Sequence, residues 1–248
     1  MKIAISTDSL MGYGLNRIFE FAKEIGFDGI DLMLDKKNLD SLDADYVSKL
    51  STETGLPILA IQTSDNAKKK DVEEAVKMAK TLGAKVIIVQ PPKILDRKYA
   101  DWLKQEVPNI RKIENISIAL ENAQNKLWLG FIPERAMNNI NELKRFKHAC
   151  LDTSRVAEKK EDLINTYNSL SKFLVHVHIS NYHRNKGYQL LNKGSLPLES
   201  FISKLATDDF KGAISIKITP KNLEVREKDR MMKNLEDCKK FIEKYENA

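Results

Sequence analysis

The chain has 248 residues, a length near that of one (β/α)8 barrel and ample for a sizeable core. At 42% hydrophobic and 31% charged it has the composition of a soluble globular protein, and with no run of 18 apolar residues it excludes a membrane-spanning helix. The formal charge of +6 invites a nucleic-acid reading, but the lysines are scattered (Lys36 and Lys37, Lys68 to Lys70, Lys159 and Lys160, Lys239 and Lys240), mostly beside acidic residues. They read as solvated helix faces and argue against a nucleic-acid partner.

The chain enters a strand at once, over Lys2–Ser6, without the basic region, apolar run and cleavage site of a secretory signal. Two cysteines, Cys150 and Cys238, lack a C-x-x-C spacing and point to neither a disulfide scaffold nor a structural zinc site, so the cytoplasm is the expected compartment. A helix is predicted over Asn16–Ile25, then strand and helix alternate: Gly29–Met33 and Ala44–Thr54, Pro57–Gln62 and Lys68–Leu82, Lys85–Gln90 and Lys98–Ile113. The second half continues with Ser117–Glu121 and Pro133–Leu143, His148–Asp152 and Ala157–Ser169, Leu174–Ile179 and Pro197–Ala206, Ala213–Ile218 and Glu224–Tyr245. Gly26, Gly55 and Gly83 stand where left-handed helix caps belong, and Pro133 and Pro197 suit a first helical turn. Eight units with no strand left over predict a single (β/α)8 barrel spanning 1–248. The absence of a G-x-G-x-x-G turn after the first strand disfavours a dinucleotide-binding fold.

Side chains alternate faces along a strand. In the last four strands one row is apolar: Ile118 and Leu120, Ala149 and Leu151, Val175, Val177 and Ile179, Ile214, Ile216 and Ile218. It is expected to pack beneath the helices. The other row, expected to point into the barrel, reads Ser117-Ala119-Glu121, His148-Cys150-Asp152, His176-His178 and Ala213-Ser215-Lys217. Its last members, Glu121, Asp152, His178 and Lys217, sit at the carboxyl ends of their strands, where barrel active sites are built. Two carboxylates and an imidazole are a plausible set for a divalent metal.

The runs Ile118–Asn122, Cys150–Arg155 and Val175–Asn181 resemble three motifs of the xylose-isomerase-like barrels. Gly26–Leu32 resembles that family's second-strand signature, and Leu191–Leu198 its late glycine loop. The resemblance implies a sugar isomerase or epimerase in which two glutamates, an aspartate and a histidine hold one divalent ion (Mn, Mg, Co or Zn) while the glutamates move a proton between adjacent carbons. Carried over, Glu121, Asp152 and His178 match three ligands, and Glu121 is also the candidate base. The fourth position falls at Lys217, with Arg155 and Asn181 where a histidine and an aspartate are common. These departures remove negative charge or ligands, and an ammonium repels a divalent ion. The expected alternative is that Lys217 occupies the metal's place, pairs with Glu121 and Asp152, and acts as a catalytic cation.

Each residue also has a bland reading. Glu121 can be a structural ion-pair partner, Asp152 an N-cap, His178 a hydrogen-bonded core histidine, and His176, one layer deeper, structural. Gln62 and Gln90 at strand ends, Arg155, and His183 and Arg184 in the following loop are candidates for substrate contact, while Trp102 and Trp128 read as packing. The expected partner is a small sugar or sugar phosphate, with a homo-oligomer left open. A non-catalytic, ligand-binding or regulatory barrel of the same family is the competing reading. A nuclease of the apurinic-site type is disfavoured, because it needs several metals and many histidines, and the chain has four: His148, His176, His178 and His183.

Overall fold

A computed structural model describes residues 1–124 and 126–246. Its frame is eight short strands: β1 (Lys2–Ser6), β2 (Gly29–Met33), β3 (Ile58–Gln62), β4 (Val86–Val89), β5 (Ser117–Glu121), β6 (Ala149–Asp152), β7 (Leu174–Ile179) and β8 (Ala213–Ile216). Each pairs in parallel with its neighbours in sequence. β1 also pairs β8, from Lys2↔Ala213 to Ile5↔Ile216, so the sheet closes into the expected (β/α)8 barrel. Around it run α1 (Leu15–Ile25), α2 (Ala44–Thr54), α3 (Lys69–Leu82), α4 (Arg97–Gln105), α5 (Val107–Glu114), α6 (Ile140–Phe146), α7 (Thr153–Glu158), α8 (Leu163–Leu170), α9 (Leu198–Thr207), α10 (Pro220–Leu223) and α11 (Lys228–Glu246). Among the described residues no helix is long and apolar enough to cross a membrane.

Strand alternation sorts the core into two parts. Ile5, Ile30, Leu32, Ile61, Ile87, Ile118, Leu120, Leu151, Val177, Ile179, Ile214 and Ile216 pack outward against the helices, each such side chain contributing roughly 1.5–3 kcal/mol by leaving water. Inside the barrel, Ala60, Ile88, Ala119 and Cys150 make a small apolar plug. Val175, expected beneath the helices, packs against this plug instead. A register shift between Ala149 and Cys150 pairs Ala149 with Leu174 but Cys150 with His176, so the first residues of β7 leave strict alternation. His148, expected in the inward row, precedes β6 and feels the guanidinium of Arg111, which with burial lowers its pKa to about 4.

Gly26, Gly55 and Gly83 end α1, α2 and α3 with φ of 79°, 74° and 70°, as their places in the sequence predict. The later helices differ from expectation where side-chain chemistry interrupts the period. The predicted helix over Lys98–Ile113 breaks between α4 and α5, because Pro108 lacks the N–H that would continue the ladder. Pro133 starts no helix. It pairs with Leu127 in a two-stranded hairpin, Leu127–Trp128 with Ile132–Pro133, and α6 waits for the Asn139 cap, which accepts from Glu142 N. The stretch Ala157–Ser169 is likewise two helices. α7 starts from the end of β6 with Asp152 as its cap, and α8 starts from Asp162. Pro197 caps α9 from outside its first turn, and the helix predicted from Glu224 begins at Lys228 as α11, after the short α10 that precedes the predicted range. Trp102 is half-buried and stacks on Tyr99, 6.1 Å between ring centroids; the Trp128 side chain lies outside the described residues.

Candidate functional site at the carboxyl ends of the strands

Above the apolar plug the barrel interior turns polar. Asp31, Gln62, Glu121, Asp152, His176, His178, Ser215 and Lys217 are all buried, and Gln90 follows β4 at the same level. His178 is the hub. Its Nδ1 meets Glu121 Oε1 in a short contact, and its Nε2 lies 2.8 Å from Asp31 Oδ2. Gln90 donates through Nε2 to the other oxygen of Glu121. The Lys217 ammonium donates to Gln62 Oε1 at 3.0 Å and sits 3.5 Å from His178 Nδ1 and 3.9 Å from Glu121 Oε1. Lys217 directly follows β8, where its own N–H still bonds to Ile179 O at 3.0 Å, so the barrel wall fixes its backbone.

These contacts set the charges. Burial alone would raise Glu121, but Lys217 and then His178 outweigh it and bring the carboxyl from 4.5 down to about 2. Asp31 is held well below the usual carboxylate range against its complete burial, chiefly by His178. Burial and Lys217 oppose charge on His178. Cys150, itself pushed up to about 12 by burial and therefore a neutral thiol, leaves Glu121 and Asp31 to raise His178 well above its ordinary value. His176, 3.0 Å from Ser215 Oγ and 3.5 Å from Asp31 Oδ2, is lowered by burial and stays neutral. Burial also works against the Lys217 ammonium, and Glu121, Asp152, Asp8 and Asp31 together raise it above its ordinary value.

Asp152 takes a different part from the one expected. Among the described residues no ion pair within 4.0 Å joins it to Lys217, so the pairing expected for Lys217 is realised with Glu121 alone. Asp152 instead caps α7, accepting from Arg155 N at 3.0 Å, and its other oxygen accepts from the Tyr188 hydroxyl at 3.0 Å. Burial and the nearby Glu121 raise its pKa. Asn122 ties the two strand ends together, its Nδ2 donating to Asp152 O at 3.0 Å and its Oδ1 accepting from Asp152 N at 2.7 Å.

A pocket of about 250 Å³ opens over this layer, lined by Gln62, Arg155, Tyr188, Lys217 and Thr219 with Asp8 and Asp65 at its acidic side. Arg155 pairs with Glu158 at 2.8 Å and lies over the Tyr188 ring, 5.1 Å from its centroid. Gln90 faces an adjoining polar cavity of about 50 Å³ that shares Asp65 and Arg155. His183 and Arg184 are exposed in the turn of a hairpin formed by Asn181–His183 and Lys186–Gln189, and neither lines these cavities. Asn181, where the resemblance led to an aspartate, anchors the glycine loop. Its Nδ2 donates to Leu191 O at 2.7 Å and its Oδ1 accepts from Tyr182 N and Leu196 N. The donation to a carbonyl requires an amide.

Sequence reasoning missed Asp31, Asp8 and Tyr188. Extending the alternation to β2 places Asp31 inward between Gly29 and Met33, so its signal was present. Tyr188 sits on a hairpin strand that no pattern announced, in the left-handed region at φ 54°, a conformation costing a non-glycine residue of order 1–3 kcal/mol. Two groups among the described residues bring three donor atoms within 4.8 Å of one another: Asp31, His176 and His178, and Glu121, Cys150 and His178.

A closed parallel barrel with ionisable side chains gathered at the carboxyl ends of its strands defines a TIM-barrel protein with an enzyme-like site. A family model described as xylose isomerase-like TIM barrel matches residues 19–235, and the chain belongs to that family. An uncharacterized protein of Mycobacterium leprae is 23% identical over 256 residues, covering 88% of this chain and 89% of its own. In fold, the chain is similar to D-psicose 3-epimerase from Clostridium cellulolyticum H10, solved with D-tagatose (TM-score 0.73, 11% identity, 98% of each chain). It is also similar to the IOLI protein, solved with a bound zinc atom (TM-score 0.73, 17% identity, 99% of each chain).

Proposed function

We propose that the protein is an isomerase or epimerase of a small keto sugar or sugar phosphate, moving a proton between a carbon and its carbonyl neighbour at the mouth of the barrel. The observation that carries this reading is the placement of Lys217 on the pocket wall directly above a carboxylate, Glu121, that is ionised at every physiological pH. The substrate carbonyl oxygen accepts from the Lys217 ammonium. Glu121 takes the proton from the adjacent carbon, the C–H electron pair becomes the C=C bond of an enediolate, and the carbonyl oxygen gains the negative charge. A carboxylate with so low a pKa is a weak base while the ammonium faces it. As Lys217 turns to the developing oxyanion its field leaves Glu121, whose proton affinity rises in step. The protonated Glu121 then returns the proton, on the same face, to the former carbonyl carbon, while the hydroxyl proton on the first carbon passes to the oxyanion and leaves a new carbonyl there. Inversion at the first carbon instead takes its proton from a donor on the opposite face, such as water. Arg155, Gln62 and Gln90 bind the hydroxyl or phosphate groups.

The family's divalent ion fits these residues poorly. The predicted ligands do not form one compact donor group: Asp152 belongs to neither three-residue cluster, and its oxygens are engaged by Arg155 N and Tyr188. Both ring nitrogens of His178 already meet carboxylates, and an ammonium stands where a fourth ligand would be. No step of the mechanism is therefore routed through a metal. The names of the structural neighbours, a ketose 3-epimerase among them, support the class of substrate.

The test is solvent exchange. Protein incubated in deuterium oxide with a panel of ketoses and their phosphates is expected to place deuterium on a carbon next to the carbonyl of at least one, read by mass spectrometry. No incorporation across the panel refutes the reading. The second reading is a non-catalytic sugar-binding barrel, favoured by the near-complete burial of Glu121, 2% exposed beneath Lys217. It predicts a ligand that stabilises the fold without exchange.

A further inference from the structure

We infer that Lys217 is a built-in replacement for a divalent ion, so that the native site takes up no metal and a single exchange, Lys217→Glu, converts it into a metal centre. This deepens the proposed reading, but its test is independent of turnover. The placement carries the inference. The ammonium is held by the carbonyl oxygen of Gln62 at 3.0 Å and lies 3.5 Å from His178 Nδ1 and 3.9 Å from Glu121 Oε1. An ion bound to Glu121 and His178 would need ligand bonds of about 2.0–2.2 Å, which puts it within the same few ångströms of Nζ and sets a divalent charge against a fixed positive one.

The side chain can turn within the site but does not leave it. Its exposure is 9%, its backbone is tied to β7, and Asp8, Asp31, Glu121 and Asp152 surround it with negative charge that favours keeping a cation there. The donors crowd together: Asp31 and Glu121 both contact His178, Glu121 also lies 3.9 Å from the Lys217 ammonium, and Asp152 turns to Arg155 N. A glutamate at this position is shorter than lysine and opposite in charge. It leaves room beside Glu121 and His178, supplies the missing oxygen donor, and removes the repulsion. The change puts a carboxylate beside Glu121 where an ammonium stood, the condition in which a cation binds.

The experiment compares wild type, K217E and K217Q, each refolded or purified in the presence of Mn²⁺, desalted without chelator, and measured by elemental analysis and by titration calorimetry with MnCl2. Wild type is expected to carry substoichiometric Mn²⁺. K217E is expected to carry one ion per chain, with affinity higher by roughly 100-fold, the upper range for changes around a metal's ligands. K217Q removes the charge without adding a ligand and is expected to fall between the two. It decides the question should K217E fail to fold. Stoichiometric Mn²⁺ on wild type, or K217Q and folded K217E no tighter than wild type, overturns the inference. A negative exchange assay alongside this ranking sinks the isomerase reading and leaves the metal inference standing, and the converse result does the opposite.

Discussion

Replacing Lys217 by methionine removes one charge of a buried pair and keeps most of the side chain's volume. At 3.9 Å and an effective dielectric constant of about 20, the Lys217–Glu121 attraction is worth about 4 kcal/mol. Relief from burying an ammonium offsets part of this, and stranding one partner of a buried pair costs 3–5 kcal/mol in measured cases. K217M is therefore expected to lose about 3 kcal/mol at pH 7 in urea unfolding. The loss has a defined pH window. Glu121 falls from 4.5 to about 2 on folding, so its contribution is complete above 4.5 and disappears as pH drops toward 2. Lys217 is raised above 10.5 on folding, so its contribution is complete below 10.5 and disappears as pH climbs through its higher folded value. The stability gap between wild type and K217M should be full from about pH 5 to 10 and shrink on either side. A gap below about 1 kcal/mol at neutral pH, or one unchanged between about pH 7 and 3, would show that the two charges do not hold each other.

Asp31→Asn leaves His176 and His178 without their carboxylate and is expected to cost about 3 kcal/mol in the same assay; a stability equal to wild type contradicts the hub arrangement. Gly194→Ala would place a methyl 2.1 Å from Asn181 Oδ1 and 2.8 Å from Tyr182 O, so a loss of about 1–3 kcal/mol and a lower Tm are expected, with an unchanged Tm showing that the loop is free to move. Arg155→Ala should raise KM about tenfold or more for whichever ketose responds in the exchange panel, since a charged hydrogen bond is worth 1.5–3 kcal/mol, and should change kcat little. Arg111→Ala loses guanidinium bonds to Ile118 O and Phe146 O and the stacking on Phe146, so roughly 2 kcal/mol of stability should go with no effect on the pocket; a change in KM would be the contrary result.

The barrel was legible because strand alternation has a period of two and each buried parallel strand is short, apolar and bounded by polar turns. The same period led to the positions of Glu121, His178 and Lys217 and needed only to be carried back to β2 to reach Asp31. What it could not supply was partnership. Asp152 offers its oxygens to Arg155 N and Tyr188 rather than to Lys217, because the chain turns into α7 immediately after β6 and a carboxylate at a helix start finds backbone N–H groups first. The hairpin bearing Tyr188 was illegible for another reason: Arg184 and Asn185 turn it with φ of 48° and 61°, and only the asparagine is a residue type that advertises such a bend. The long predicted helices failed at Pro108, Asn139 and Asp162, where a single side chain outweighs the averaged periodicity around it.

The backbone at Tyr188 has a consequence of its own. A glycine there would relieve a backbone cost of about 1–3 kcal/mol, yet it would strip the hydroxyl from the buried Asp152 and the ring from beneath Arg155. Backbone preference and side-chain contact pull in opposite directions at this one position, and the contacts outweigh the strain. A screen that rewards heat resistance and one that rewards turnover should both hold the aromatic in place.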